Sequence, residues 1–187
     1  LKLKTPVRIL LEPKPKNTAP ALTLAALAAQ DTNPDSVLVV TPADHYVKDL
    51  NQFTLVMHEA IKAVQGKTIV TLGINPTRPD TGFGYIHFEG EGLVKNVLTF
   101  KEKPDLKTAQ EMINQGQHAW NGGMFILQSK TWLGAIQQNS PEIAKSVKNA
   151  WHNKETDQWF ERPDAELFKQ SPSDSIDYAV MEKTKEL

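Results

Sequence analysis

Asp44 is the first residue of this sequence whose position suggests chemistry. It follows four β-favouring apolar residues, 37–40, in a predicted strand that ends at Thr41 before Pro42. Such a pattern predicts a buried strand with a carboxylate at its carboxyl end, which is where open α/β sheets bind ligands. An aspartate in that place is also an ordinary turn or helix-capping residue, so this stretch alone leaves both interpretations open.

The segment from Glu12 to Pro20 contains a second group of polar residues. Its three prolines stop a strand, and Asn17 or Thr18 can cap a helix that runs from Pro20 to about Gln30. A helix N-terminus beside lysines can bind a phosphate or the edge of a nucleobase. A capped surface turn would contain the same residues.

Residues 101–104, Lys-Glu-Lys-Pro, place an acid between two bases at the end of a predicted strand. Glu102 could accept hydrogen bonds from sugar hydroxyl groups, and Lys103 could hold a phosphate. A solvent-exposed run of charges is the alternative interpretation. Upstream, Gly82 and Gly84 would let the backbone approach a ligand, although a tight turn needs the same glycines.

Two further polar residues stand close to apolar segments. Asn121 enters an apolar strand between Trp120 and two glycines, which suggests that its side chain faces an open site; a turn before a strand is the alternative. Asp177 lies in the first turn of a helix predicted over residues 176–182. The five histidines have no metal-binding spacing, and we expect them to be surface or structural residues.

The apolar pattern of the sequence predicts the strands and helices that would position these residues. A strand over residues 37–41, a helix over 49–65 and a strand over 68–74 form the βαβ unit of a parallel sheet. Strands at 85–89 and 93–102 form a hairpin, after a loop over 75–84 that is long enough to be a lid or a binding loop. The other predicted elements are a strand at 7–11, a helix at 106–115, an apolar strand ending near 127, and helices within 130–150 and 161–185.

Length and composition restrict the function further. The chain has 187 residues, 40% of them hydrophobic, and a net charge of -1, so we expect one domain without the charge field that draws proteins to nucleic acid or membranes. There is no cysteine, which excludes disulfides and thiolate metal sites. Without a signal peptide or a membrane span, the expected compartment is the cytoplasm. Residue 1 is not a methionine, and the chain looks like a piece of a longer protein.

Taken together in this order, six segments resemble the mannose-1-phosphate guanylyltransferases. Each motif alone is weak, but six in the right order over nearly the whole chain make chance similarity improbable. The resemblance implies an α/β, Rossmann-like nucleotidyltransferase fold with a mixed, mostly parallel sheet and flanking helices, of which residues 1–187 form a partial domain. The six segments are Glu12 with 17–20 (Asn-Thr-Ala-Pro), 42–45 (Pro-Ala-Asp-His), 83–86 (Phe-Gly-Tyr-Ile), 102–104 (Glu-Lys-Pro), 120–125 (Trp-Asn-x-Gly-Met-Phe) and 176–182 (Ile-Asp-Tyr-Ala-Val-Met-Glu).

Enzymes of that family join GTP and mannose 1-phosphate to give GDP-mannose and pyrophosphate, using Mg²⁺. By this resemblance, Asp44 is the magnesium ligand and, with Lys103, a catalytic residue. The residues implied near the nucleotide are Glu12, Asn17 and Thr18. Those implied at the sugar-phosphate site are Gly84, Tyr85, Glu102, Lys103, Asn121 and, in a looser role, Asp177.

The sequence also departs from the family pattern. The glycine-rich loop that wraps the triphosphate is not in this chain, nor is a second metal-binding aspartate beyond the 176–182 helix, so we expect the chain alone to be catalytically poor. Pro15-Lys16 replaces the usual Gly-Arg, which keeps a cation but loses its planar fork. A missing strand would expose sheet edges, so association into a homo-oligomer is a further expectation.

The sequence is also compatible with two alternatives to guanylyl transfer. One is another sugar-1-phosphate nucleotidyltransferase with a different base or sugar. The other is a non-catalytic subunit that binds sugar nucleotides. The expected ligands are small molecules in every case.

Overall fold

The computed structural model describes residues 6–64, 68–157 and 159–184. Strands and helices alternate along most of this length, followed by a π-helical turn that we call the π-turn. The strands are β1 Ile9–Leu10, β2 Val37–Val40, β3 Val70–Ile74, β4 Tyr85–Glu89, β5 Asn96–Lys101, β6 His118–Gln128, β7 Glu155–Thr156 and β8 Phe160–Arg162. The helices are α1 Thr18–Thr32, α2 Leu50–Ala63, α3 Leu106–Gln115, α4 Ser129–Asn139, α5 Pro141–His152, α6 Ala165–Lys169 and the π-turn Asp177–Met181.

The larger sheet is organised around β6, its longest strand. β2 and β3 pair with β6 on opposite sides, since Val39 and Val70 both face Ile126. β4 pairs with the beginning of β6 and with β5, which completes the sheet. The polar residues at the start of β6 therefore lie at the centre of the sheet, between strands from three other parts of the chain.

The expectation of a mostly parallel sheet is wrong for the described residues, because all pairs in this five-stranded sheet are antiparallel. The βαβ unit is present, and β2 and β3 point the same way. They are not neighbours, however, because β6 inserts between them in the opposite direction. Nothing in the local pattern of residues 37–74 reveals a partner that lies about fifty residues beyond β3 and about ninety beyond β2.

A second, three-stranded sheet has the order β1-β8-β7. The predicted strand at 7–11 is shorter in the structure and pairs in parallel with β8. Arg8 fixes this sheet to α1: its Nε donates to Glu161 Oε1 at 2.5 Å, and its Nη1 donates to the carbonyl of Ala28 at 2.9 Å. The segment that carries Glu12 is thereby held against the C-terminal half of α1.

The main core lies where α1, α4, α5 and the π-turn pack against the sheet. Trp132 is fully buried, and its indole N–H donates to Thr23 Oγ1 on α1 at 3.0 Å. α1 is capped by Asn17, whose side chain accepts from the backbone N–H of Thr18 at 2.8 Å, so the predicted cap is confirmed. None of the described helices is long and apolar enough to cross a membrane.

Some predicted elements differ from the structure. The helix expected within 130–150 is interrupted at Ser140-Pro141, since proline suits only the first turn of a helix. Residues 161–185 contain only short helices, as far as they are described. The strand 37–41 is not buried on both faces, because Val37 and Val39 are 40% and 45% exposed.

Candidate functional site

Asp44 lies beside an open cavity of about 820 Å³. The loop that carries it, residues 41–49, follows β2 and leads into α2; we call it the Asp44 loop. The opposite wall of the cavity includes Trp120, Asn121 and Gly123 from β6, and the apolar part includes Phe53. The structure thus brings two of the sequence motifs, at 42–45 and 120–125, to the same cavity.

The side chain of Asn121 is held by three hydrogen bonds. Its Oδ1 accepts from Thr71 Oγ1 at 3.1 Å and from the backbone N–H of Gly123 at 3.2 Å, and its Nδ2 donates to Asp177 Oδ1 at 2.9 Å. Gly123 adopts φ +66°, a left-handed conformation that favours glycine. Asn121 therefore links β3, β6 and the π-turn, and one N–H of its amide is left for a ligand.

Glu102 is a buried carboxylate next to this amide. Its side chain is 9% exposed, and its Oε2 has no hydrogen-bond partner among the described residues. Burial raises the pKa of Glu102 above its ordinary value, and the charge of Asp177 raises it further, while Lys103 lowers it. A buried acceptor without a partner is costly, so this oxygen is suited to a hydroxyl or amide donor of a ligand.

Gly84 explains how the Glu102 carboxylate fits. A Cβ atom at residue 84 would lie 2.4 Å from Glu102 Oε2 and 3.1 Å from Phe100 Cζ. The carbonyl of Gly84 also accepts from the backbone N–H of Asn121 at 2.8 Å. Glycine is thus required here for space rather than for backbone conformation.

Asp177 and Lys103 supply the remaining charges. Asp177 is half-buried, and burial raises its pKa, although hydrogen bonds and the charge of Lys103 act in the other direction. Lys103 Nζ lies 3.6 Å from Glu102 Oε1. We call Thr71, Glu102, Lys103, Asn121 and Asp177 the polar cluster; it combines two acids, an amide, a hydroxyl and one ammonium group.

The loop before β4 is held by Tyr85 and Asp80. The Tyr85 hydroxyl donates to the carbonyl of Asp80 and accepts from its N–H, both at 3.0 Å. Asp80 also pairs with Arg78 at 2.6 Å, and the guanidinium of Arg78 lies over Trp120. Tyr85 is 1% exposed, so its side chain supports this loop, and its place at the sugar phosphate stays a prediction.

Glu12 lies in a different cavity, of about 480 Å³, together with Arg162 and Asp164. None of the residues that line it also lines the Asp44 cavity. Glu12 Oε1 is buried without a hydrogen-bond partner in the described part of the chain, and burial raises the pKa of this carboxyl. The structure thus does not bring Glu12 to the residues predicted for the sugar phosphate.

Thr18 connects the start of α1 to the start of the π-turn. Thr18 Oγ1 accepts from the N–H of Ile176 at 2.9 Å, immediately before Asp177. Asn17 adopts φ +70°, and its side chain is occupied by the cap of α1. Thr18 thus anchors the residue before the π-turn, and the amide oxygen of Asn17 is used in the cap.

Sequence reasoning missed two residues of the site. Thr71 was placed in a strand, but a single threonine gives no sign of a hydrogen bond to Asn121. Glu182 was part of a motif without a role, and its carboxylate accepts from the backbone N–H of Glu102 at 2.7 Å. Both hydrogen bonds become visible only once β3, β5 and the π-turn are placed around β6.

Oxygen ligands suit Mg²⁺, which takes one or two carboxylates and keeps water or phosphate oxygens. The Asp44 carboxylate is such a ligand: it is exposed at the cavity and has no hydrogen bond or ion pair in the described residues. No group of three or more acidic, histidine or cysteine side chains that could hold a metal occurs among them. Asp44 therefore fits a magnesium ion whose other ligands come from phosphate and water.

Comparison with known proteins supports the sequence resemblance. Residues 2–166 match the nucleotidyl transferase family. The xanthan biosynthesis protein XanB of Xanthomonas campestris pv. campestris (strain B100) is 44% identical over 179 residues, which cover 96% of this chain and 38% of XanB. A mannose-1-phosphate guanylyltransferase of Escherichia coli is 40% identical over 187 residues, covering 95% of this chain and 40% of that protein. The chain thus spans about two fifths of the curated relatives it matches.

Solved structures show the same fold. A Helicobacter pylori protein described as mannose-6-phosphate isomerase superposes with a TM-score of 0.90 at 31% identity, over 99% of this chain and 72% of that one. A Thermus thermophilus protein described as mannose-1-phosphate geranyltransferase superposes with a TM-score of 0.84 at 32% identity, over 96% of this chain and 51% of that one. The predicted α/β nucleotidyltransferase fold is confirmed.

Proposed function

Because the chain belongs to the nucleotidyl transferase family, we propose that it carries the sugar-phosphate site of an enzyme that joins GTP and mannose 1-phosphate, giving GDP-mannose and pyrophosphate. The observation that carries this proposal is the buried, unpartnered Oε2 of Glu102 beside the ammonium group of Lys103. A sugar phosphate offers hydroxyl donors and an anion in the same molecule. The relatives named mannose-1-phosphate guanylyltransferase point to mannose as that sugar.

In the proposed complex, Glu102 accepts from a hydroxyl of mannose and Lys103 binds its phosphate. The free N–H of Asn121 donates to the sugar, and Asp177 holds the Asn121 amide in place. Ligand hydroxyls would thereby satisfy the buried carboxylate oxygen, which a sugar without hydroxyls in this position would leave unpaired. The polar cluster thus recognises the sugar, and the flexible side chain of Lys103 follows its phosphate.

The reaction itself needs alignment more than a general base. A phosphomonoester has a second pKa of about 6, so mannose 1-phosphate is largely dianionic at neutral pH. Its oxygen attacks the α-phosphorus of GTP, a new P–O bond forms, and the bond to the β-phosphate breaks to release pyrophosphate. Asp44 would hold Mg²⁺, which neutralises phosphate charge in such transfers. The absence of a histidine base from the polar cluster is consistent with this chemistry.

The nucleotide assignment rests on the resemblance and on Glu12. A buried carboxylate can accept from two N–H groups on one edge of guanine, and the burial of Glu12 Oε1 without a partner supports such a role. Asn17 and Thr18 would act through the backbone that they fix. We propose the cytoplasm as the compartment, because GTP and sugar phosphates are available there.

Calorimetric titration of this chain with GDP-mannose and Mg²⁺, with ADP-glucose as comparator, tests the proposal. We expect selective binding of GDP-mannose, and mannose 1-phosphate should bind more weakly to Lys103→Ala than to the wild type. Lys107→Ala is the matched control, because Lys107 is 88% exposed on α3 and outside the site. Equal affinity for the two sugar nucleotides, or an unchanged Lys103→Ala variant, would overturn the assignment of the sugar-phosphate site.

A further inference from the structure

Glu182 joins the backbones that carry the two acids of the polar cluster. Its side-chain Oε1 accepts from the N–H of Glu102 at 2.7 Å. Its own backbone N–H donates to the carbonyl of Asp177 at 3.0 Å and closes the π-turn. One residue therefore ties the end of β5 to the π-turn, and its side chain is only 23% exposed.

The residue after Glu102 needs such a support. Lys103 has φ +44°, a left-handed conformation that non-glycine residues rarely adopt. Conformations of this kind persist only where the surrounding structure enforces them, and they concentrate at ligand sites. The hydrogen bond to Glu182 has a charged acceptor, which makes it stronger than a neutral one, and it fixes the Lys101–Glu102 peptide, one residue before Lys103.

The second contact of Glu182 is weaker. Lys101 Nζ lies 3.6 Å from Glu182 Oε1, and the lysine side chain is 57% exposed. Exposed ion pairs of this kind contribute little. The role of Glu182 thus follows from the bond to the Glu102 backbone and not from its charge pair with Lys101.

We propose that Glu182 is a positioning residue for the sugar phosphate, which holds the Glu102 carboxylate and the backbone that carries Lys103 in their binding geometry. This inference rests on the proposed function, because it assumes that these two groups bind a sugar phosphate. Glu182 itself contacts no ligand. A residue in this role changes affinity for the sugar phosphate and leaves nucleotide affinity unchanged.

Two substitutions separate position from charge. Glu182→Ala removes the acceptor, so affinity for mannose 1-phosphate should fall about tenfold to a hundredfold, the equivalent of one hydrogen bond to a charged group. Glu182→Gln keeps an acceptor oxygen, although a neutral one, and should lose clearly less affinity than Glu182→Ala. Lys101→Met, the matched control, removes the ion pair and should have no effect on either ligand.

Amide hydrogen exchange at Glu102, followed by NMR without ligand, tests the positioning independently of sugar binding. The amide should be protected in the wild type and in Glu182→Gln and should exchange rapidly in Glu182→Ala. Glu182→Gln should also lower the pKa of Glu102 and Asp177, because a negative charge near both is removed.

The outcomes distinguish the two proposals. If the wild type does not bind mannose 1-phosphate but exchange follows this pattern, the proposed function fails and Glu182 still positions Glu102 and Lys103. Unchanged exchange in Glu182→Ala, or equal loss of affinity in the alanine and glutamine variants, would overturn the inference about Glu182.

Discussion

The polar cluster meets the cavity of the Asp44 loop at Asn121, but the two regions are built differently. In the polar cluster, Asn121 and Asp177 are fixed by hydrogen bonds between separate elements. On the Asp44 loop, the carboxylate is exposed and has no partner in the described chain. The side chains of the cluster therefore already have a fixed arrangement before a ligand binds, and this arrangement can select the ligand. The Asp44 carboxylate would take a fixed position only together with the metal and phosphates it would hold.

Gly84→Ala should have the largest effect on sugar-phosphate affinity, because residue 84 is in the closest contact with the Glu102 carboxylate. The added Cβ would lie 2.4 Å from Glu102 Oε2 and must displace the carboxylate. We expect affinity for mannose 1-phosphate to fall about a hundredfold, as for the loss of a hydrogen bond to a charged group. Stability should fall by about 1 kcal/mol, at the low end for overpacking. Titration calorimetry and urea unfolding measure the two effects.

Gly134→Ala is the control for Gly84→Ala. Its Cβ would meet nothing within 4 Å, and it lies inside α4, where alanine stabilises relative to glycine by about 0.5–1 kcal/mol. Unchanged sugar-phosphate affinity in Gly84→Ala would show that the Glu102 carboxylate is not part of the binding site.

Asn121→Ala should act mainly on stability rather than on affinity, since it removes the centre of the cluster. Three hydrogen bonds are lost, and the half-buried Asp177 carboxylate loses a donor. We expect the free energy of unfolding to decrease by about 1–3 kcal/mol, the cost of leaving such groups unpaired. Urea unfolding at pH 7 measures this change, and a variant as stable as the wild type would contradict the preorganised geometry we ascribe to the cluster.

Asn121→Asp sharpens the same comparison. It keeps an acceptor for Thr71 but places a second carboxylate against Asp177. Like charges disfavour ionisation, so the pKa of Asp177 should rise further. The destabilisation of this variant should therefore be greater at pH 7 than at pH 4.

Glu102→Gln should change stability less than Asn121→Ala does, and it should stabilise the protein to an extent that depends on pH. The pKa of Glu102 is raised in the folded protein, mainly by burial, so the folded state binds its proton more tightly than the unfolded chain. Stability is then lost as pH rises from the ordinary carboxyl pKa, about 4.3, through the raised value. Glutamine removes this loss, so the variant should gain stability relative to the wild type as pH increases.

Urea unfolding of Glu102→Gln at several pH values between 4 and 8 measures this gain. Asp80→Asn is a useful contrast, because a hydrogen bond from the Gly82 backbone lowers the pKa of Asp80. Loss of the Asp80 carboxylate in this variant should reduce stability mainly above the ordinary aspartate pKa. A difference between Glu102→Gln and wild type that is constant with pH would show that burial does not disfavour the Glu102 charge.

The sequence predicted most elements of the fold because their signals are local. The end of α3 at Gly116 and the caps at Asn17 and Asp49 depend on residues within one helical turn, and the β4–β5 hairpin depends on its own glycines. The position of β6 between β2 and β3 could not be predicted this way, because antiparallel insertion is decided by packing between distant segments.

The candidate site shows the same division. Asp44, Glu102 and Asn121 were identified because motif order in the family selects them. Tyr85 belongs to the same motifs, but its burial and its bonds to Asp80 emerge only from the folded loop. Glu182 could not be assigned a role, because the peptide it contacts is 80 residues away in the chain.

Asp44→Ala should have the smallest effect on stability, which sharpens the contrast between the loop and the cluster. An exposed side chain without partners contributes little, so the change should stay within about 0.5 kcal/mol. Asp105→Ala is the matched control: Asp105 is also exposed, but it caps α3 by accepting from the N–H of Thr108 at 2.8 Å. Loss of a helix cap destabilises the folded state, so Asp105→Ala should be the less stable of the two variants. Urea unfolding without metal compares them.

The same pair of variants tests the metal assignment. If Asp44 holds Mg²⁺, affinity of the wild type for GDP-mannose should increase with Mg²⁺, and Asp44→Ala should lose this dependence while Asp105→Ala keeps it. A large loss of stability in Asp44→Ala would show that its carboxylate already has a structural role. An unchanged Mg²⁺ dependence would place the metal elsewhere, and the open geometry of the Asp44 loop would then need a different explanation.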